Sequence, residues 1–440
     1  MLASWAGGGR LTWTPAAMLV VAALGLPAVW LQWRERGQIR LRALLPLLLW
    51  LAMLGIGLAN PSYILSDNGD RLPRPGWISW LPSTVDRAMA VDAAFPWLVA
   101  LLEGGIIFAV RPSPRFGRVL WAVATANGFV LAAVGAAFRF SHATEMLGFL
   151  PVPEPDYFFA TFFYKNHWAA YGALCATAGL TLALDGWDRA VAGDARARGR
   201  TLFFSAIGLL TLVTLPLPRS RSGALFALLL LLGWVAGLVT GLGAKRAGAA
   251  RGKAITAAVL IALAGVIVGY GANAYRPRAQ ADMERTVRQL ATAEHGAPVD
   301  LRWLASIDTA RMAMLHPWLG WGVGSFPVVF PLLKGNYLRD ANGHATARFE
   351  FAHDDWLQLW AETGIVGMLV LLVPVWFLSW RAWHRGSAAR RILGGCALIA
   401  AYAWVDFPFN NPAVLLLWTM LLATAALERA RRPAYCLAPE

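Results

Sequence analysis

Apolar runs close to 20 residues long recur from one end of this chain to the other. Wound as a helix, such a run matches the hydrocarbon thickness of a bilayer, and a helix leaves no backbone polar group unsatisfied in lipid. The runs fall near 12–33, 43–59, 93–110, 117–138, 161–184, 201–217, 222–243, 254–273, 363–380, 392–407 and 412–427. The predicted fold class is therefore all-α, a polytopic transmembrane helix bundle of about 11–12 spans with one large helical loop on its outer face. Composition agrees: 58% of residues are hydrophobic, 15% are charged and mean hydropathy is +0.51. That lies far from the balance of a soluble domain.

A net charge of +14 raises a nucleic-acid reading, and its distribution removes it. Segments 34–42, 111–118, 185–200, 245–253, 381–391 and the tail from 428 hold 22 of the 39 Lys and Arg but 6 of the 25 acids, a net of +16. The remainder nets −2. Basic residues crowded into alternate loops mark the cytoplasmic face. The expected partners are membrane lipids and no nucleic acid. Counted through eleven spans, the same rule puts the N-terminus outside and the C-terminus inside. Only Arg10 precedes the first run, which reads as a retained span rather than a cleaved signal. Cys175, Cys396 and Cys436 show neither metal-site nor disulfide spacing.

This organisation divides the chain into residues 1–273 with about eight spans, a large outer loop over 274–362, and residues 363–440 with about three spans and a cytoplasmic tail. Long loops of this kind are usually functional. Within the large one, ADMERTVRQLATAEH and VDLRWLASIDTARMAMLHPW predict amphipathic helices, and GWGVGSF interrupts the pattern. Two shorter outer segments, 60–92 and 139–160, are rich in Pro and aromatic residues.

Ionisable residues gather at the outer mouths of the spans. In FAHDDWLQLWAETG, residues 351–364, helical spacing begins at Asp354, so Asp354 or Asp355 suits the cap and first turn. His353 then stands at the helix entrance, where a helix dipole and neighbouring carboxylates pull its charge state in opposite directions. It is a candidate general base, or a histidine that merely caps an interfacial helix; Trp356 and Trp360 would anchor that helix at the headgroups. In PLPRSRSGALF, Arg219 and Arg221 open a span and suit either bidentate phosphate binding or snorkelling to lipid headgroups. In FFYKNHWAAYGAL, Lys165, Asn166 and His167 open another; a capping Asn166 and a snorkelling Lys165 are the plainer account. Arg311 faces either headgroups or a ligand, and Glu103 is a buried acid expected to pair inside the bundle. The G-x-G-x-G of residues 320–324 follows a Trp-rich turn rather than a strand, so it predicts a tight loop and not a dinucleotide site. No D-x-D, H-E-x-x-H, Walker loop or G-x-S-x-G occurs, and metal-diphosphate transfer, zinc proteolysis, ATP-driven transport and serine hydrolysis lose support.

Five segments in order, KNHWAAYGAL, SRSGAL, HPWLGWGVGSF, AHDDWLQLWAETGIVGMLVLL and DFPFNNPAVLLLW, resemble the O-antigen ligase and polymerase superfamily of bacterial envelope glycosyltransferases. They cover residues from about 160 to 425, and the best match is His353, Asp354, Leu357, Glu362 and Gly364. The resemblance implies an inner-membrane enzyme that takes an undecaprenyl-diphosphate-linked glycan as donor. Transfer would occur on the periplasmic face, with inversion, without a metal or other cofactor. The acceptor would be lipid A-core for a ligase or a lipid-linked glycan repeat for an O-antigen or exopolysaccharide polymerase. By that resemblance His353 is the catalytic base and Arg221 holds the donor diphosphate, with Arg219, Lys165 and Arg311 as further donor-binding candidates and Asp354 and Asn166 in helix-capping or supporting roles. Two features depart from the family's pattern: Asp354 stands where many members have Asn, and members commonly show twelve spans. Arg71, Arg74, Arg87 and Arg139 are unranked further phosphate contacts. The competing reading is a transporter or flippase of lipid-linked oligosaccharide, which predicts inverted repeats and broken helices. A non-catalytic scaffold is the third.

Overall fold

A computed structural model describes residues 1–36, 41–65, 71–141, 143–147, 150–151, 158–242, 301–335 and 349–428. The expected span at 254–273, the amphipathic stretch at 281–295 and Cys436 lie outside the described residues. The described helices are α1 (Leu2–Trp5), α2 (Thr14–Ala23), α3 (Leu26–Arg36), α4 (Leu45–Ala59), α5 (Arg87–Val110), α6 (Pro114–Phe140), α7 (Lys165–Val191), α8 (Ala195–Thr214), α9 (Arg221–Leu242), α10 (Leu301–Leu315), α11 (Phe326–Leu333), α12 (Asp355–Trp383), α13 (Ser387–Tyr402) and α14 (Pro412–Leu427). Two small antiparallel pairs, Tyr63–Leu65 with Arg71–Pro73 and Glu145–Met146 with Leu150–Pro151, are the described strands. The chain is an all-α multi-pass membrane bundle. Among the described residues six helical stretches are long and apolar enough to cross a membrane: Thr14–Leu31, Arg42–Ala59, Arg87–Val110, Pro114–Phe140, Arg221–Val239 and Asp355–Trp383.

Helix α7 is the central post. Its stretch from His167 to Trp187 is buried throughout, and it packs against α6, α8, α9, α13 and α14. Alanine, glycine and threonine dominate that stretch, so neighbouring backbones approach closely, which is how helices associate where lipid supplies no hydrophobic drive. Helix α14 is nearly as enclosed and packs against α5, α6, α7, α12 and α13.

The two ends of the bundle differ in chemistry. At one end Arg118 bridges Asp185 at 3.0 Å and Glu428 at 2.7 Å, tying the start of α6 to the ends of α7 and α14. Trp121 Nε1 donates to Thr424 Oγ1 one turn further in. At the opposite end, about 30 Å from Asp185 along α7, the starts of α7, α9, α12 and α14 converge.

Candidate functional site

The turn between α13 and α14, residues 403–411, is the hub of that second end. Asp406 is 2% exposed, and its carboxylate gathers four segments. Oδ1 accepts from the Phe407 amide at 2.9 Å and faces His353 Nδ1 at 3.6 Å. Oδ2 accepts from Asn166 Nδ2 at 2.6 Å and from the Tyr402 hydroxyl, with the Tyr164 hydroxyl at 3.4 Å. Burial alone would raise the Asp406 pKa. The facing His353 imidazole, the Tyr402 hydroxyl and the Phe407 amide outweigh it and hold the carboxyl below its usual range.

His353 takes a left-handed backbone, φ +56°, immediately before the helix. Its ring stands edge-on between Phe407 and Phe349, with centroids at 4.8 and 5.6 Å, and the side chain keeps 20% of its surface exposed. Nδ1 faces Asp406, which leaves Nε2 for a ligand. Asp354 caps α12 by accepting from the amides of Trp356 at 3.1 Å and Leu357 at 3.0 Å. Burial pushes Asp354 up to about 6 against those two amides. Asp355 turns back to the hub and accepts from Phe409 N at 2.7 Å and Asn410 Nδ2 at 2.8 Å, while its own amide donates to Ala403 O.

The K-N-H segment fastens the same turn from α7. Asn166 holds Asp406, and His167 Nε2 lies 3.2 Å from the Phe407 carbonyl oxygen, which only an N–H can satisfy. The other face of Asn166 reaches α9: its Oδ1 accepts from Ser220 Oγ at 2.7 Å and Ser222 Oγ at 3.4 Å. Ser220 Oγ also accepts from the Gly223 amide at 3.0 Å and so caps α9. Gly223 is dictated by close approach, since a Cβ there would fall 2.2 Å from Leu215 O. The S-R-S-G order therefore sends both serines into the hydrogen-bonded network while Arg219 and Arg221 remain exposed beside it.

The expectations for Asn166 and Glu103 need correction, and the remaining candidates take the positions described with them. Asn166 does not cap α7: the N-cap position is Tyr164, without a side-chain cap bond, and the Asn166 amide is spent on Asp406 and Ser220. Arg311, its side chain 70% exposed on α10, pairs with Asp308 at 2.9 Å, and Asp308 in turn accepts from Gly335 N. Lys165 opens α7 at the same end as the hub, half-buried. Trp356 and Trp360 are half-buried and donate to Ala400 O at 2.9 Å and Pro317 O at 3.2 Å. Glu103 leaves its Oε2 buried without a hydrogen-bond partner.

The glycine-rich loop has a packing role. Helix α12 breaks at Gly364, φ +64°, which frees backbone groups on both sides. Trp321 N and Gly322 N donate to Ala361 O and Glu362 O, and Ile365 N and Val366 N donate to Pro317 O and Trp318 O. The buried Glu362 carboxylate accepts from Gly324 N at 2.9 Å, Phe326 N at 3.2 Å and Gln358 Nε2 at 3.2 Å. A Cβ on Gly364 would fall 2.2 Å from the Trp318 carbonyl carbon, and one on Gly320 2.4 Å from that of Glu362. The E-x-G pair thus welds residues 317–326 to the helix that carries His353.

Sequence reasoning missed Asp406, Tyr402, Ser220 and Ser222 as members of the cluster. The available signal was a lone acid closing an apolar run just before Pro-Phe-Asn-Asn. Among the described residues no group of three or more His, Cys, Asp or Glu could hold a metal ion.

Residues 206–372 match the family model described as O-antigen ligase. The match takes in the S-R-S-G segment, the glycine loop and His353 through Gly364, whereas Asn166 and Asp406 lie beyond its two ends. A search of curated proteins finds no match.

Proposed function

We propose, for a chain that carries a domain of the O-antigen ligase and polymerase superfamily, that it is a membrane glycosyltransferase acting on a lipid-diphosphate-linked glycan. The observation that supports this most is that His353 faces Asp406 at 3.6 Å and that hydrogen bonds run from Asp406 through Asn166 to Ser220 and Ser222, the sequence neighbours of Arg219 and Arg221. On this reading His353 is the base, Asp406 orients it and Arg219 and Arg221 receive the diphosphate, the functions that displacement of a diphosphate requires.

In this reading the acceptor hydroxyl donates its proton to His353 Nε2 as its oxygen bonds to the anomeric carbon. The carbon–oxygen bond to the diphosphate breaks on the opposite face, the electron pair stays on the diphosphate, and the anomeric configuration inverts. Asp406 meets the positive charge that develops on the imidazole. Arg221 and Arg219 neutralise the leaving diphosphate, a task for which the guanidinium fork is suited, so the reaction proceeds without a metal. Undecaprenyl diphosphate is the proposed carrier, the inner membrane the location, and the periplasmic side the face of transfer. The acceptor is either lipid A-core or a lipid-linked repeat.

The transporter reading draws on one observation, the break in α12 at Gly364. That break is filled by loop backbone, and the Glu362 carboxylate already accepts from three donors, which favours a packing role for the break over a transport gate. The test is purified protein in liposomes with a polyprenyl-diphosphate glycan and each acceptor in turn. Wild type should form product in the presence of a chelator, and His353→Ala should lose about 10²–10⁴-fold in turnover. Full activity of His353→Ala would remove the base assignment.

A further inference from the structure

A cavity of about 800 Å³ opens beside the His353 cluster, within the size range of small-molecule sites. Its walls are residues 9–12, the first half of α5, the glycine loop, the start of α12 and the Phe409–Pro412 turn. Arg10 reaches it from the N-terminal segment, where its Nη2 donates to Asn410 O at 3.3 Å and its guanidinium lies 5.0 Å from the Phe351 ring centroid. Asp92 and Glu350 are exposed at the same walls, and the rings of Phe351, Phe95 and Trp97 supply flat apolar faces.

This lining discriminates among ligands. A hydrocarbon chain would desolvate three charged groups without pairing them, which is unfavourable. A polyanion would meet two exposed carboxylates against one guanidinium. A polyhydroxyl ring fits both features: its hydroxyls donate to Asp92 and Glu350 and accept from Arg10, and its C–H face lies on the aromatic rings. The cavity also approaches His353 from a different side than the arginines do. Phe351 stacks on Phe407 at 4.9 Å, and Phe407 packs on His353, whereas Ser220, which Arg219 and Arg221 flank in sequence, connects through Asn166 and Asp406.

We propose that this cavity binds the saccharide end of the acceptor, and that it selects uncharged sugars. The inference rests on the glycosyltransferase reading for its word "acceptor", while saccharide binding in the cavity stands apart from it. Two measurements separate them. In liposomes with a polyprenyl-diphosphate glycan as donor, the acceptor is titrated as a lipid-linked repeat in one arm and as lipid A-core in the other. Glu350→Gln and Asp92→Asn should raise the acceptor concentration for half-maximal rate about tenfold or more, with donor half-saturation changed less than about twofold. Arg221→Lys should do the reverse. In parallel, the oligosaccharide released from each acceptor by mild acid is titrated by tryptophan fluorescence, with unchanged unfolding temperatures certifying that the variants fold. Loss of oligosaccharide binding in Glu350→Gln supports the cavity assignment even where wild type transfers nothing, an outcome that would sink only the glycosyltransferase reading. Unaltered oligosaccharide binding, or a rise in donor half-saturation instead, overturns the assignment while leaving that reading intact.

Discussion

At the scale of single residues, two neighbouring carboxyls of the hub are tuned in opposite directions, and the signs of their pH effects follow. Asp406 is held below the usual carboxylate range by its donors. Its contribution to stability is therefore present above the ordinary carboxylate pKa and is lost as pH falls through its depressed folded value. Asp354 is raised from 3.8 to about 6 by burial. Its contribution is present below about 4 and is lost as pH rises through about 6. Asn caps a helix as well as Asp does. Asp354→Asn should therefore unfold about 1–3 °C above wild type at pH 8, with the gain gone at pH 4, whereas Asp406→Asn should unfold lower at pH 8 with a deficit that shrinks toward pH 4. Thermal unfolding in detergent across that range checks both, and a gain for Asp354→Asn that grows as pH falls would contradict the assignment. The sequence displayed His353 and its acidic neighbours as a cluster because they are adjacent. It did not display Asp406, because the pairing of residue 353 with 406, and of 166 with both 406 and 220, is a product of helix packing that no local spacing encodes.

At the scale of elements, α12 and the glycine loop behave as one unit. The helix begins at Asp355, eight residues before the apolar run that marked it in the sequence, and so crosses the division drawn at residue 362. Its first two turns carry the capping and hub contacts, and Gly364 separates them from the long apolar part. Gly364→Ala must move the Trp318–Leu319 backbone and hold a non-glycine residue at positive φ, at a cost of about 1–3 kcal/mol or more. The consequence should appear at the loop rather than along the whole helix. Amide exchange at Trp321, Gly322, Ile365 and Val366 should accelerate by about tenfold or more, with the lower part of α12 unchanged. Uniform acceleration along α12 would show that the break is not a local weld. The tight loop itself was readable from G-x-G-x-G. Its partner was not, since a helix broken by glycine inside an apolar run looks continuous to any periodicity argument.

At the scale of the molecule, most of the bundle was legible because lipid leaves a chain few options. Ten of the eleven apolar runs coincide with described helices, and the eleventh lies outside the described residues. The same physics that made the spans readable also sorts the charges to the ends, which separates a structural cluster from the proposed functional one. Arg118 sits at the end away from His353 and closes two nearly buried acids, with side chains of Asp185 and Glu428 only 7% and 4% exposed. Removing the guanidinium leaves both carboxylates without it, and losing one partner of a buried pair costs about 3–5 kcal/mol. Arg118→Ala should therefore lower the unfolding temperature markedly, and Arg118→Lys should recover part of the loss because an ammonium cannot span two acceptors as a fork does. Protein that remains folded should keep its half-saturation values for both donor and acceptor, since α7 places about 30 Å between Asp185 in this cluster and Asn166 at the hub. A rise in either value in folded Arg118→Ala would mean that the two ends are coupled through α7 and α14, and the separation of roles argued from their distance would fail.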